Sequence, residues 1–106
     1  MTRTEAEAII QSMLAGTRDY DRIDHFLKNC AEEGFTAQDI NPILRTHSMR
    51  GAPEKMPSGA YRVRLIGKCL EGRQTLLAID LRVEGPCALV SIMVDNVPYT
   101  KKRRAR

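Results

Sequence analysis

The stretches AYRVRLIG (residues 60–67), QTLLAIDLRV (74–83) and ALVSIMV (88–94) decide the fold class of this 106-residue chain. In the first two stretches, apolar side chains alternate with polar or charged ones over much of the length. Because successive side chains of a β-strand point to opposite faces, this alternation predicts strands with one covered face and one wet face. Glycine-containing segments at 71–73 and 84–86 separate the stretches, as hairpin connections do. We therefore expect an antiparallel meander of three strands or slightly more.

The residues before these strands predict helices. Residues 4–15 and 20–33 place apolar side chains at helical spacing, and a glycine follows each stretch. Thr4 and Glu7 have the spacing of a capping box, in which a hydroxyl and a carboxylate each accept a hydrogen bond from a backbone amide at the helix start. We therefore expect two helices in the first third of the chain.

A shorter third helix is expected after Thr36, which has capping-box spacing to Asp39. Pro42 would remove a hydrogen bond in that helix, so we expect a kink or a break there. Residues 46–59 contain two glycines and two prolines and are predicted to form a loop. The expected fold class is α+β, with two to three N-terminal helices packed on one face of the meander.

The positive charge of the chain is concentrated at its C-terminus. The sequence contains 17 Lys and Arg and 13 Asp and Glu residues, a net charge of +4. Five of the basic residues lie in 101–106, which leaves 12 against 13 acidic residues, a net charge of −1, in residues 1–100. We predict a single domain over residues 1–98, followed by a basic, disordered tail over residues 99–106.

Several classes of protein are disfavoured by the sequence. Cys30, Cys69 and Cys87 form no C-x-x-C pair and no even framework, which favours buried thiols in a reducing compartment. The N-terminus does not resemble a signal peptide, and no apolar run approaches the ~20 residues of a membrane span. Neither a metal-ligand motif nor a glycine-rich phosphate loop is present. We expect a cytoplasmic protein without a cofactor and without membrane contact.

The wet face of the predicted sheet carries arginines. Arg62 and Arg64 come from the first strand and Arg82 from the second. Guanidinium groups fit phosphate oxygens in a bidentate geometry, so this surface is expected to face an anion, with nucleic acid considered first. In the alternative interpretation, the arginines only solvate the face, and Asp80 forms a cross-strand ion pair worth about 0.2–1 kcal/mol. Both interpretations stay open at this point.

The second predicted helix and the first strand carry a family resemblance. The helix and its end read HFLKNCAEEGFT (residues 25–36), and the strand contains YRVR (61–64). Through these motifs, residues 24–94 resemble a large family of small bacterial domains that is related in fold to RelE-type toxins. The family helix reads His-x-x-x-x-Met-x-x-Arg-Gly-Ile-Ser/Thr; here Cys30 replaces the methionine and Glu33 replaces the arginine. The matching residues are His25, Gly34, Thr36, Asp39 and Ile40, with Tyr61–Arg64 and Gly72–Arg73.

The resemblance implies a RelE-like fold and a metal-independent endoribonuclease, or a toxin-derived protein. Its implied partners are RNA, including ribosome-bound RNA, and an antitoxin protein. Such an enzyme uses the 2′-hydroxyl of RNA as nucleophile, so the protein must position phosphate, neutralise charge and move a proton. The catalytic candidates are His25, Arg64 and Arg82. The binding candidates are Arg62, Arg73, Lys68, His47, Lys101, Lys102, Arg103 and Arg104.

A non-catalytic module that keeps the fold and binds nucleic acid or protein is the alternative. Glu33 in place of the family's arginine favours it, and so does the slightly negative charge of residues 1–100. His25 also has a structural interpretation, as a hydrogen-bonding residue on a helix surface. His47 has one as well, as a residue of the predicted loop. Tyr99 is a third titratable candidate near the end of the chain.

Overall fold

A mixed five-stranded sheet organises the residues that the computed structural model describes, 1–95. Four strands form an antiparallel meander in the spatial order β5-β4-β3-β2, and the short strand β1 pairs in parallel with β5 at the other edge. The strands are β1 (Tyr20–Arg22), β2 (Ser48–Lys55), β3 (Tyr61–Lys68), β4 (Gln74–Leu81) and β5 (Cys87–Val94).

Within residues 1–95, three helices pack on one face of this sheet, which confirms the predicted α+β class. They are α1 (Arg3–Leu14), α2 (Asp24–Glu33) and α3 (Ile40–Thr46), with a 3-10 turn at Ala37–Asp39 before α3. The sheet is larger than the three strands taken from the sequence. The meander accounts for four of its strands, and the parallel strand β1 was not predicted.

The helix starts differ from the predicted ones. The capping box of α1 is formed by Thr2 and Glu5 instead of Thr4 and Glu7. The Thr2 hydroxyl accepts a hydrogen bond from the Glu5 amide (3.1 Å), and the Glu5 carboxylate accepts one from the Thr2 amide (2.7 Å). These bonds lower the pKa of Glu5.

Pro42 does not break α3, because the helix starts at Ile40 and the amides of a first helical turn have no intrahelical partner.

The predicted loop over residues 46–59 is wrong in its central part. Residues 48–55 form strand β2, which pairs with β3 along the edge of the sheet. The register shifts between Arg50 and Glu54, and Gly51 in this interval has a positive φ of 74°. An irregular edge strand tolerates glycine and proline, so the residues that indicated a loop are compatible with β2.

The buried core lies between the helices and the sheet. Gly67 of β3 permits a close approach of the two layers, because a Cβ atom there would collide with the backbone carbonyl oxygen of Ile43 in α3. Most of the apolar residues that the sequence placed on the covered strand face are buried, among them Val63, Leu65, Leu77, Ile79 and Leu81. Val83, which the alternation also placed there, lies beyond β4 and is 69% exposed, so this part of the prediction is wrong.

Candidate nucleic-acid interface

The sheet residues that alternate with the buried ones form a second surface, which we call the open face. Arg62 and Arg64 both belong to it, as the alternation predicted. Cross-strand pairing between β3 and β4 sets their neighbours on this face. The pairs are Arg62 with Asp80, Arg64 with Ala78, Ile66 with Leu76, and Lys68 with Gln74.

Arg62 is held by a neighbouring carboxylate. Its Nε and Nη2 atoms donate to the two Asp80 carboxylate oxygens at 2.8 and 3.1 Å. The side chains are 26% and 17% exposed, and the hydrogen bond to Asp80 raises the pKa of Arg62. A bidentate, partly buried pair of this kind is costly to separate, so Arg62 is poorly available to an external anion.

Arg64 is more accessible than Arg62. Among residues 1–95 its side chain makes one hydrogen bond, from Nη1 to a Glu54 carboxylate oxygen at 3.3 Å, and the two side chains are 45% and 61% exposed. Ion pairs of this kind contribute about 0–1 kcal/mol, so a phosphate can replace Glu54 at little cost. Lys68 is exposed four residues farther along β3, about 14 Å away along the strand, and its side chain forms no ion pair within residues 1–95. We call Arg64 and Lys68 the basic stripe.

Arg82 lies one residue beyond β4 and is exposed. The backbone of the connection that follows it is held by Arg18, which donates to the carbonyl oxygens of Arg82, Val83 and Gly85 at 2.9–3.2 Å. In the described part of the chain, the guanidinium of Arg82 takes part in no ion pair. Arg82 is therefore a further cation next to β4 that a polyanion could reach.

A polar cluster that sequence reasoning missed joins the two ends of the meander. Asp95 is 4% exposed and follows β5 directly. Its Oδ2 atom accepts from Arg50 Nη2 at 3.3 Å and from Gln74 Nε2 at 3.1 Å. Arg50 lies in the predicted loop, so the sequence offered no signal for this contact. Of the four cations Arg50, Arg62, Arg64 and Lys68, the first three each contact a carboxylate. The open face therefore carries only a small excess of positive charge.

His47, which the sequence placed on a loop and among the binding candidates, is held in a structural environment. Its side chain is 6% exposed, with Nδ1 at 2.6 Å from the Leu44 carbonyl oxygen and Nε2 at 2.6 Å from a Glu7 carboxylate oxygen. These contacts connect α1 to the end of α3. His47 could reach a nucleic acid only by giving up both.

His25 is exposed on α2, away from the basic stripe. Asn29 of α2 accepts a hydrogen bond from the Ile92 amide of β5 at 2.6 Å, so α2 is fixed beside that strand. Arg64 lies on β3, two strand spacings or about 10 Å from β5. Within residues 1–95, no hydrogen bond or ion pair joins His25 to Arg64 or Arg82, so the three catalytic candidates are not assembled into one cluster.

Arg73 lies at the helical side of the molecule. Its guanidinium carbon is 4.5 Å from the centre of the Phe35 ring, and Nη2 donates to the Gly34 carbonyl oxygen at 3.4 Å. Its Nε atom is buried and has no hydrogen-bond partner in the described part of the chain. Arg73 therefore packs the β3–β4 turn against the end of α2. The other binding candidates, Lys101, Lys102, Arg103 and Arg104, lie outside the described residues, as does Tyr99.

Comparisons with protein-family models, curated proteins and solved structures find no match for this chain. No helix within residues 1–95 is long and apolar enough to cross a membrane. The same part of the chain contains no group of three His, Cys, Asp or Glu side chains arranged to hold a metal ion. The functional interpretation therefore rests on the geometry of the open face.

Proposed function

We propose that this protein is a non-catalytic RNA-binding module that contacts the phosphate backbone with its basic stripe. The observation that supports the proposal most is the accessibility of Arg64 and Lys68 along one strand of the open face. Two cations about 14 Å apart on a straight element suit an extended polyanion better than a single small anion. Arg82 follows the end of β4 that pairs with the start of β3, and it offers a further contact at the opposite end from Lys68.

Apolar side chains next to the stripe support contacts with bases. Ile66 and Leu76 are half-buried neighbours on the open face, and Met93, which pairs with Leu76, is 46% exposed. Such side chains can contact bases, whereas Arg64 and Lys68 are suited to phosphate. Because phosphate contacts carry no sequence information, binding is expected to be largely independent of RNA sequence. Non-specific binding of this kind is weak at physiological salt, so a low affinity is also expected.

The positions of the histidines favour binding over cleavage. His47 is engaged by Leu44 and Glu7, and His25 lies on α2 beside β5. A proton-transfer group must come within hydrogen-bonding reach of the reacting atoms, about 2.6–3.2 Å. Neither ring lies beside Arg64 in the structure, which supports the non-catalytic alternative.

Replacing Arg64 and Lys68 together by glutamine should weaken the salt dependence of RNA binding. For single strands, each phosphate-contacting cation contributes about 0.7 to the slope of log K against log salt. The double variant R64Q/K68Q is therefore expected to lose about 1.4 from the slope. Fluorescence anisotropy of a labelled 12-nucleotide oligouridylate, titrated with the full chain at several salt concentrations, measures it.

Arg45→Gln is the matched control for this experiment. Arg45 is exposed on α3, in the helical layer, and forms no ion pair within the described range. Its replacement changes the net charge as a single stripe substitution does and is expected to leave the slope unchanged. An unchanged slope in R64Q/K68Q, or an equal loss per charge in R45Q, would contradict the proposed interface.

Metal-independent RNA cleavage is the second candidate function, favoured by the exposure of His25 on a helix that packs against the same sheet. Incubation with total RNA and with ribosome-bound RNA in the presence of EDTA tests it. Cleavage that is lost in His25→Gln and in Arg64→Gln would establish this function and overturn the non-catalytic proposal. Intact RNA under these conditions is the result we expect. The antitoxin partner that the resemblance implies stays a prediction.

A further inference from the structure

The helical layer contains a two-part cleft that is separate from the basic stripe. Its polar part, of about 530 Å³, is lined by Arg18, Asp19 and Asn41 among other residues. Its apolar part, of about 240 Å³, is lined by side chains of α2 and of the segment after it. Arg22 and Ala37 line both parts, so the two adjoin at these residues.

Arg22 places an exposed cation at this junction. It is exposed at the end of β1, and its guanidinium takes part in no ion pair or side-chain hydrogen bond that the structure shows within residues 1–95. Arg18 in the polar part differs, because its guanidinium is occupied by three backbone carbonyl oxygens of the β4–β5 connection. Arg22 is therefore the cation of this cleft that can accept an anion.

The apolar part begins immediately beside Arg22. Phe26, Cys30 and Phe35 are at most 7% exposed and belong to the core, and Leu27 at 48% exposure forms an outer wall. Burial raises the pKa of the Cys30 thiol, Asp39 raises it further, and Arg22 lowers it. The charge of Arg22 thus lowers the pKa of a thiol in the apolar wall, which agrees with the position of Arg22 at the junction.

We infer that this cleft binds a small monocarboxylate with an apolar tail. The carboxylate pairs with the guanidinium of Arg22, a geometry that allows two parallel hydrogen bonds. The tail occupies the apolar part, where it removes apolar surface of Leu27 and Ala31 from water. Asp19 lines the polar part and would repel a second carboxylate, which favours a monoanion over a dianion.

A titration with 3-phenylpropanoate, followed by two-dimensional ¹H–¹⁵N NMR of the full chain, tests the site. We expect saturable shifts of the Arg22, Cys30 and Ala37 amide signals, with millimolar affinity for a ligand of this size. Arg22→Gln should weaken binding at least tenfold, since hydrogen bonds to charged groups contribute about 1.5–3 kcal/mol. The neutral analogue 3-phenylpropanamide should bind the native protein correspondingly weakly, and Arg45→Gln should bind as the native protein does.

The thiol of Cys30 provides a second readout. At a fixed pH near 8, alkylation of Cys30 by iodoacetamide, followed by mass spectrometry, should slow as 3-phenylpropanoate is added, because the tail covers the apolar wall. Equal affinity for acid and amide, equal affinity of native protein and R22Q, or shifts confined to other parts of the molecule would each overturn the inference. Because Arg22 is exposed, R22Q is expected to keep the native NMR spectrum. Leu27→Gln changes the apolar part independently of Arg22, and it should also weaken the binding of 3-phenylpropanoate.

The pH dependence of Cys30 alkylation is itself a prediction. Because burial raises the pKa of this thiol, less thiolate is present at any given pH, and the midpoint of the rate profile should lie above that of an exposed cysteine. Arg22→Gln removes the group that lowers this pKa, so its profile should shift to still higher pH. A midpoint at or below that of a free cysteine would contradict the buried environment of Cys30.

Discussion

Gly67→Ala is expected to lower the free energy of unfolding by about 3 kcal/mol, at the upper end of the effects of overpacking. The added Cβ atom would collide with the carbonyl oxygen of Ile43 and lie 3.1 Å from the carbonyl carbon. Both atoms belong to the backbone of α3, which cannot rotate away as a side chain can. Either α3 must move from the sheet or β3 must bend, and both changes open the core. Urea unfolding followed by circular dichroism measures the loss.

Lys68→Ala is the control for this substitution, at the next residue of the same strand. Lys68 is exposed and its side chain points to the other face, so its replacement should change the stability by less than about 0.5 kcal/mol. If Gly67→Ala unfolded at the same urea concentration as the native protein, the close approach of α3 to β3 would be refuted. Crowding at Gly67 would then not limit how near the helical layer can come to the sheet.

Asp39→Ala is expected to cost about 2–3 kcal/mol, because one buried carboxylate fixes two separate segments. Asp39 is 7% exposed. One oxygen accepts from the Thr36 amide (2.9 Å) at the start of the 3-10 turn, and the other accepts from the Leu70 amide (3.0 Å) in the β3–β4 turn. Removal of the carboxylate leaves both amides without this partner. Thermal and urea unfolding of the full chain measure the effect.

The asparagine variant separates the two hydrogen bonds of Asp39. The side-chain amide introduced by Asp39→Asn keeps one acceptor oxygen, so about half of the loss is expected. Asp21→Ala is the control, since Asp21 is exposed on β1 and its replacement should change the stability by less than about 0.5 kcal/mol. Equal stability of Asp39→Ala and the native protein would show that Asp39 does not connect the turn to the helix.

Local patterns predicted the centre of the fold. The alternation around Val63 and Leu65 is a property of neighbouring residues, so the strand, its buried face and the placement of Arg62 and Arg64 on the other face followed from the sequence. The capping box of Thr36 and Asp39 was predicted for the same reason and is confirmed. Three strands of the antiparallel meander were recognised, because short hairpin connections leave little freedom to them, whereas β2 was predicted as a loop.

Contacts between distant residues could not be predicted. Strand β1 has three residues, too few for a periodic pattern, and it was assigned to the following helix. His47 and Glu7 are 40 residues apart, and their contact depends on how α1 packs against the end of α3. The partners of the arginines also depend on tertiary structure, since Arg73 meets Phe35 only because the β3–β4 turn lies over the end of α2.

The sequence therefore placed Arg62 and Arg64 on the correct face of the sheet, but it did not show which charges lie beside them. The same surface that carries Arg62 and Arg64 also carries Asp80 and Glu54, which reduce its charge. Register decides whether a carboxylate lies opposite an arginine, and register is fixed by pairing across the whole sheet. Accessibility, which separates Arg64 from Arg62, follows only from the assembled structure.

Mapping of the RNA-binding surface by two-dimensional ¹H–¹⁵N NMR decides whether the basic stripe is an RNA interface. Unlabelled 12-nucleotide oligouridylate is added to the ¹⁵N-labelled full chain at low salt. The largest shifts are expected at the amides of β3 from Arg62 to Lys68 and at neighbouring β4 residues, and they should diminish as salt is added. Shifts confined to α1, α2 or α3, with the β3 signals unchanged, would contradict RNA binding by the open face.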